Sequence, residues 1–289
     1  MLMAHIPAKI LPALRAPGES DATDLVERDG ALLCPQTGKV YAFDGGVARL
    51  MVPGGSDVGR RASLTQDGLE EFGELVTWGS RNPTLRGILR IIGANKRVLD
   101  CGCGSGQRSN FLQLNNNQVL GVDTSIAELQ WAVAHKEHNQ LTRVAFAQMD
   151  PFDPAVKDGS MDVVLAFDLL PWAERPNAVL RTLSGKARVG GLVVFGLFSA
   201  FVFGAVPSRD GSTTVARHTL GRALRWLDEC DLEFVSCNPP ILGTAGEGAP
   251  PFTPSTRASA YERAVTELSW SIWNRANGGL FHVVGRKRS

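Results

Sequence analysis

The stretch Arg97-Val98-Leu99-Asp100-Cys101-Gly102-Cys103-Gly104-Ser105-Gly106, answered by Val119-Leu120-Gly121-Val122-Asp123, decides the fold of this chain. An apolar run ends in an acid, a glycine loop follows, and a second apolar run ends in another acid. The order predicts strand, loop, helix and strand, which builds a nucleoside pocket at the carboxyl ends of a parallel sheet. Glycines 102, 104 and 106 let the backbone pass flush against a ligand where a Cβ would clash. Asp123, at the end of its run, is expected to accept both ribose hydroxyls.

Two cofactor classes use this layout. A dinucleotide fingerprint needs G-x-G-x-x-G, with its last glycine for helix packing and a helix N-terminus facing a pyrophosphate. Here the residue that would complete that pattern is Gln107, and Asp100 precedes the loop. A carboxylate there would repel a pyrophosphate but could hold a cationic amino-acid end by a charge-assisted hydrogen bond. Cys101 and Cys103 form a C-x-C inside the loop. No other close cysteine or histidine pair supports a metal site, so they read as small loop residues.

At these residues the chain resembles the class I S-adenosylmethionine-dependent methyltransferases, whose first motif is D-x-G-x-G-x-G. The resemblance covers about residues 70 to 289, with specific motifs between 97 and 198. It implies S-adenosylmethionine as cofactor, S-adenosylhomocysteine as product, and methyl transfer in line with the S–CH₃ bond. The implied cofactor contacts are Asp100, Cys101, Gly102, Cys103, Gly104, Gly106, Asp123, Thr124, Asp150, Pro151 and Phe167. Within that set, the family places an aspartate like Asp150 on the adenine amine, with apolar neighbours such as Phe152 against the ring. Many relatives carry a histidine shortly after the fourth strand, but this chain has Pro171-Trp172. The candidate catalytic groups are therefore Asp168, as a substrate-orienting group or base, and His218, expected to open a helix. Asp168 could equally meet the methionine amine or a backbone amide.

Outward from the loop, strand and helix signals alternate. Strands are expected at 118–123, 144–148, 161–167, 191–198, 232–236 and 280–285, with helices at 107–114, 125–138, 175–183 and 218–230. Ser125-Ile126-Ala127-Glu128 has the form of a capping box. The fold class is thus α/β, a Rossmann-like doubly wound sheet. It is expected to be mostly parallel, seven-stranded with an antiparallel last strand, and to carry a small N-terminal β extension. Residues 1–22, with prolines at 7, 12 and 17, read as a flexible arm. Residues 23–56 read as a small β-rich module with turns at 35–38 and 44–46. The methyltransferase domain then spans 57–289, with an insertion at 239–278. Apolar spacing from Leu64 to Ile92 predicts two helices divided by Pro83.

Leu33-Cys34-Pro35, with Gly38, Tyr41, Asp44, Gly45 and Gly46, resembles the zinc-ribbon-like module that precedes many bacterial methyltransferase domains. Thr37 stands where a second cysteine ligand would be, so no metal is expected. The 289 residues are 44% hydrophobic and 20% charged, with a net charge of +1. That composition supports a sizeable core and argues against a nucleic-acid surface, which needs basic residues on phosphate. Five scattered cysteines fit a reducing compartment, and Lys9 and Arg15 interrupt any secretory run, so a cytoplasmic location is expected. Leu192–Val206 is shorter than the ~20 residues of a membrane helix. The partner is expected to be a small organic acceptor, methylated at oxygen, nitrogen or carbon. The rivals are an RNA or protein methyltransferase and a non-catalytic cofactor-binding partner subunit.

Overall fold

A computed structural model describes residues 5–52, 83–167, 169–200, 217–238 and 280–289. Residues 53–56 at the end of the expected N-terminal module, the first of the two helices expected before residue 92, and the 239–278 insertion lie outside the described residues. So do Asp168 and Phe201 and Phe203 of the apolar stretch. The chain divides into two units: residues 1–165 with 185–188, and residues 166–184 with 189–289.

In the first unit the strands run β1 (Val26–Arg28), β2 (Ala31–Leu33), β3 (Val40–Asp44), β4 (Val47–Arg49), β5 (Arg97–Cys101), β6 (Gln118–Asp123), β7 (Val144–Gln148) and β8 (Met161–Ala166). Their spatial order is β1-β2-β3-β4-β7-β6-β5-β8. The pairings β7/β6, β6/β5 and β5/β8 are parallel. Every residue of β7 is buried, as a strand covered on both faces requires. The strand bounds at 118–123 and 144–148 coincide with those read from the sequence. Helix α1 spans Pro83–Ile92, α2 Gln107–Leu112 and α3 Ile126–His138.

The N-terminal strands form an antiparallel meander. Two of its hairpins are closed by two-residue turns in which both residues have positive φ: Asp29 and Gly30 (51° and 74°), then Gly45 and Gly46 (55° and 84°). Such turns match the right-handed twist of the strands they join. The meander continues the sheet, because β4 pairs in parallel with β7, Val47 opposite Phe146. Cys34 donates its thiol to Gln36 Oε1 at 3.4 Å. The zinc-ribbon likeness thus gains no support from the structure.

The expectation of a loose N-terminal arm needs correcting for residues 5–22. Ile6, Ile10, Leu14 and Ala16 are buried. Leu14 bridges Val156, Lys157 N–H donates to the Ala13 carbonyl at 2.8 Å, and Arg15 pairs with Asp21 and Asp153. The prolines prevent a long helix, but apolar side chains four residues apart still find a surface to cover.

The second unit holds α4 (Pro176–Lys186), β9 (Ala187–Ser199), β10 (Arg217–His218), α5 (Leu220–Glu229), β11 (Leu232–Asn238) and β12 (Leu280–Lys287). The last strand, β12, is antiparallel to both β9 and β11, and β10 adds in parallel at the end of β9. α5 buries Leu220, Ala223, Trp226 and Leu227 along one side. This is the 3–4 spacing of an amphipathic helix.

Candidate functional site

The first unit assembles the glycine loop at the carboxyl end of β5. Glycines 102, 104 and 106 have φ of 71°, 53° and 72°, so the loop runs through left-handed backbone that favours glycine. Gly102 and Cys103 N–H both donate to the Val122 carbonyl at the end of β6, at 2.8 and 3.1 Å. Asp123 then ties loop to helix. Its Oδ2 accepts Gly104 N–H and its Oδ1 accepts Ser125 N–H, each at 3.0 Å. Asp123 is only half-buried, and each carboxylate oxygen has lone pairs beyond these bonds.

The neighbouring strand end is tied to the same place. Met149 N–H donates to the Asp123 carbonyl, and Gln148 Nε2 donates to the Thr124 carbonyl at 2.8 Å. Asp150 is exposed, its Oδ1 accepting Phe152 N–H at 2.9 Å, and Pro151 is buried beside it. Thr124, Asp150 and Pro151 therefore gather around Asp123. Gly104 is uncrowded among the described residues: a Cβ there would come no nearer to any of them than 3.9 Å, at Glu128 Oε2. Gly106 is different, since its Cβ would lie 2.4 Å from Ala132 Cβ and 2.8 Å from the Phe146 ring. One glycine leaves a cradle open and another lets α2 seat on α3.

Asp100 is satisfied within the protein. It is fully enclosed, with Ser109 Oγ donating to it at 2.6 Å and Arg108 Nε lying 3.4 Å from each carboxylate oxygen. The first turn of α2 folds back over the end of β5 and satisfies the acid inside the protein. A carboxylate with no exposed surface does not itself reach a cationic ligand. The sequence reading missed Arg108 and Ser109; the signal was a cation and a hydroxyl two and three residues after the last loop glycine. Cys101 is also fully buried and Cys103 nearly so. Burial pushes both thiols well above their ordinary range, with Asp100 adding to the effect at Cys101 and Asp123 at Cys103. They are neutral packing groups rather than thiolate nucleophiles. Among the described residues, no cluster of three or more histidines, cysteines or acids is placed to hold a metal.

The second unit holds two further candidates. Phe167 is 3% exposed, and its ring lies 4.2 Å from that of His282. β9 passes close behind them: a Cβ on Gly196 would lie 2.0 Å from the Phe167 carbonyl oxygen. Phe167 is thus a packed residue of its own unit rather than an open ring face. His218 does not open a helix. It ends β10, and Thr219 caps α5 by accepting Arg222 N–H at 3.1 Å. The His218 ring is buried, 4.8 Å from Trp226, with neither nitrogen hydrogen-bonded. Burial, helped by the Arg222 charge, lowers its pKa below the ordinary 6.5, so the ring is neutral at pH 7.

Residues 99–195 match the family described as methyltransferase domain. Over 113 residues the chain is 32% identical to ubiquinone biosynthesis O-methyltransferase of Pseudomonas putida, covering 37% of this chain and 46% of that protein. It therefore spans less than half the length of this curated relative. Phosphoethanolamine N-methyltransferase 2 of Haemonchus contortus, solved with S-adenosyl-L-methionine, superposes with a TM-score of 0.52 at 16% identity. That superposition covers 79% of this chain and 59% of the other. The cyclase SpnF superposes with a TM-score of 0.51 at 17% identity, over 71% of this chain and 81% of its own. These structural likenesses show a shared fold. The glycine loop and the strand order around it thus lie within the segment, residues 99–195, that matches the methyltransferase-domain family, on a fold shared with these solved structures.

Proposed function

We propose that this protein is an S-adenosylmethionine-dependent methyltransferase acting on a small organic acceptor. The observation that carries the reading is the Asp123 carboxylate, bonded to Gly104 N–H at 3.0 Å and still half-accessible beside an open glycine. A planar nucleoside needs these two things together: an acceptor pair for its ribose and a backbone it can approach. Gly102, Gly104 and Gly106 shape the loop, Asp123 takes the ribose hydroxyls, and Thr124, Asp150 and Pro151 border the adenine. When bound, S-adenosylmethionine supplies a methyl group already activated on a sulfonium. The protein's own work is then to align the acceptor and exclude water.

Where the acceptor must lose a proton, His218 is a candidate base provided its buried ring becomes accessible to that acceptor. It is held neutral, and its ring nitrogens make no hydrogen bond to the protein. Asp168 is retained as a candidate for orienting the acceptor. The Pseudomonas putida relative, named for O-methylation in ubiquinone biosynthesis, supports an oxygen acceptor on a small molecule. The net charge of +1 supports the same side against RNA.

Calorimetry with S-adenosylhomocysteine tests the site. The wild type is expected to bind, and Asp123→Ala to weaken binding by about tenfold or more, the cost of a lost charge-assisted bond. Unchanged affinity in Asp123→Ala would reject the assignment. Radiolabelled S-adenosylmethionine, offered with metabolite extracts and separately with RNA or protein pools, tests the acceptor. Label appearing only in macromolecules overturns the small-acceptor reading, and binding without any transfer points to a non-catalytic subunit.

A further inference from the structure

Between β7 and β8 the chain runs from Met149 to Ser160 without a helix or strand of its own. Backbone groups in such a segment need partners from elsewhere. The N-terminal residues 13–21 supply them. Arg15 N–H donates to the Ala155 carbonyl at 3.1 Å and Lys157 N–H donates to the Ala13 carbonyl at 2.8 Å, on either side of the Leu14–Val156 bridge. Asp158 N–H donates to Asp21 Oδ2 at 2.8 Å. Leu14 and Val156 are both 0% exposed, so the seam between the two segments is closed to water.

Arg15 extends that seam towards the cofactor site. Its side chain is 11% exposed, and its guanidinium serves three partners at once. Nη1 donates to the Glu19 carbonyl at 2.6 Å, Nε pairs with Asp21 Oδ1 at 3.3 Å, and Nη2 pairs with Asp153 Oδ1 at 3.5 Å. A planar fork of fixed donors suits such a junction. Asp21 is shared, one oxygen facing Arg15 and the other taking Asp158 N–H. Asp153 ends the turn that opens at Asp150, whose Oδ1 accepts Phe152 N–H. The turn that borders the adenine is therefore fastened to the N-terminal residues.

We propose that Arg15 is a positioning residue for the cofactor: together with Asp21 it clasps the Asp150–Asp158 segment and so holds Asp150 and Pro151 in the form that receives adenine. The proposal rests on the S-adenosylmethionine site argued above. Coupling of this kind is reciprocal. If the unclasped segment binds cofactor poorly, bound cofactor must keep the clasp closed. Loosening the clasp must then lower the apparent affinity by the fraction of molecules that stay competent.

Hydrogen exchange and calorimetry with S-adenosylhomocysteine read the two directions. In the wild type, saturating ligand is expected to slow exchange at the Arg15, Lys157 and Asp158 amides about fivefold beyond any slowing in the β2–β3 hairpin. Arg15→Gln is expected to bind S-adenosylhomocysteine about fivefold more weakly and to exchange faster at Lys157 and Asp158. Ligand that slows the seam no more than the hairpin would mean that the N-terminal residues only add global stability, and overturns the proposal. An Arg15→Gln variant of unchanged affinity overturns it as well. If Arg15→Gln does not fold, Asp21→Ala, which removes bonds of the same clasp from an exposed position, is read in its place. A wild type that binds no S-adenosylhomocysteine refutes the cofactor site and the clasp with it, whereas binding that ignores the clasp refutes only the clasp.

Discussion

Gly104 and Gly106 are two residues apart and both adopt left-handed φ, yet their substitutions are expected to fail differently. Gly106→Ala adds a Cβ 2.4 Å from Ala132 and 2.8 Å from the Phe146 ring, with φ at 72°. Left-handed strain of about 1 kcal/mol then combines with overpacking of about 1–3 kcal/mol. Urea unfolding should show a loss of about 2 kcal/mol or more. Gly104→Ala meets no described atom within 3.9 Å, so it should lose only about 1 kcal/mol of stability. Its larger effect should be on S-adenosylhomocysteine affinity, because the new methyl stands where a ligand would approach. Equal stability losses in the two variants would contradict this division. The sequence showed all three glycines but not which one packs and which one faces open space. That difference depends on Ala132 and Phe146, which come from other elements. The pairing of Asp100 was not legible for a related reason. An acid before a glycine loop looks available until the first turn of α2 closes over it with Arg108 and Ser109.

At the scale of elements, α3 shows how local sequence and neighbouring structure share the capping of a helix. Ser125 adopts an extended conformation and accepts Glu128 N–H at 3.3 Å, as an N-cap should. In a full capping box the Glu128 side chain would reach back to Ser125 N–H. Here Asp123 takes that N–H instead, so the cap and the ribose acid belong to one hydrogen-bonded corner. Ser125→Ala is expected to cost about 1 kcal/mol in chemical denaturation. It should leave cofactor affinity nearly unchanged, since Asp123 keeps its bonds to both backbone amides. A large fall in affinity would show that the cap itself holds the carboxylate in place. Strands β6 and β7 were legible to the residue because their apolar runs are bounded by an acid or a turn. The ends of β9 and α5 were not. β9 begins four residues earlier than the strand expected at 191, at Ala187, and α5 starts at Leu220 because Thr219, not His218, provides the cap.

For the whole molecule, the buried histidines set the expected response to acid. His135 in the first unit and His218 in the second are each pushed below the ordinary 6.5, chiefly by burial, with the charges of His138 and Arg222 adding to it. A histidine with a depressed folded pKa binds its proton more readily when unfolded. Stability is therefore full above about pH 6.5 and falls as pH drops towards the folded-state value, by up to about 1.4 kcal/mol per pH unit for each group. Asp162 acts in a separate, lower window. Burial pushes its carboxyl up, but Arg97 N–H and the Arg188 and Arg97 guanidinia outweigh that and hold it below 3.8. Its contribution is present above that value and is lost only as pH falls further. Between pH 7 and pH 5, then, the histidines should dominate any loss of stability. Denaturation midpoints across that range are expected to decline in the wild type and to decline less steeply in His218→Gln, whatever that variant's stability at pH 7. A slope unchanged by the substitution would mean that the His218 ring, buried against Trp226, takes up its proton in the folded protein without penalty. It would then lack the neutral character on which its assignment as a base depends.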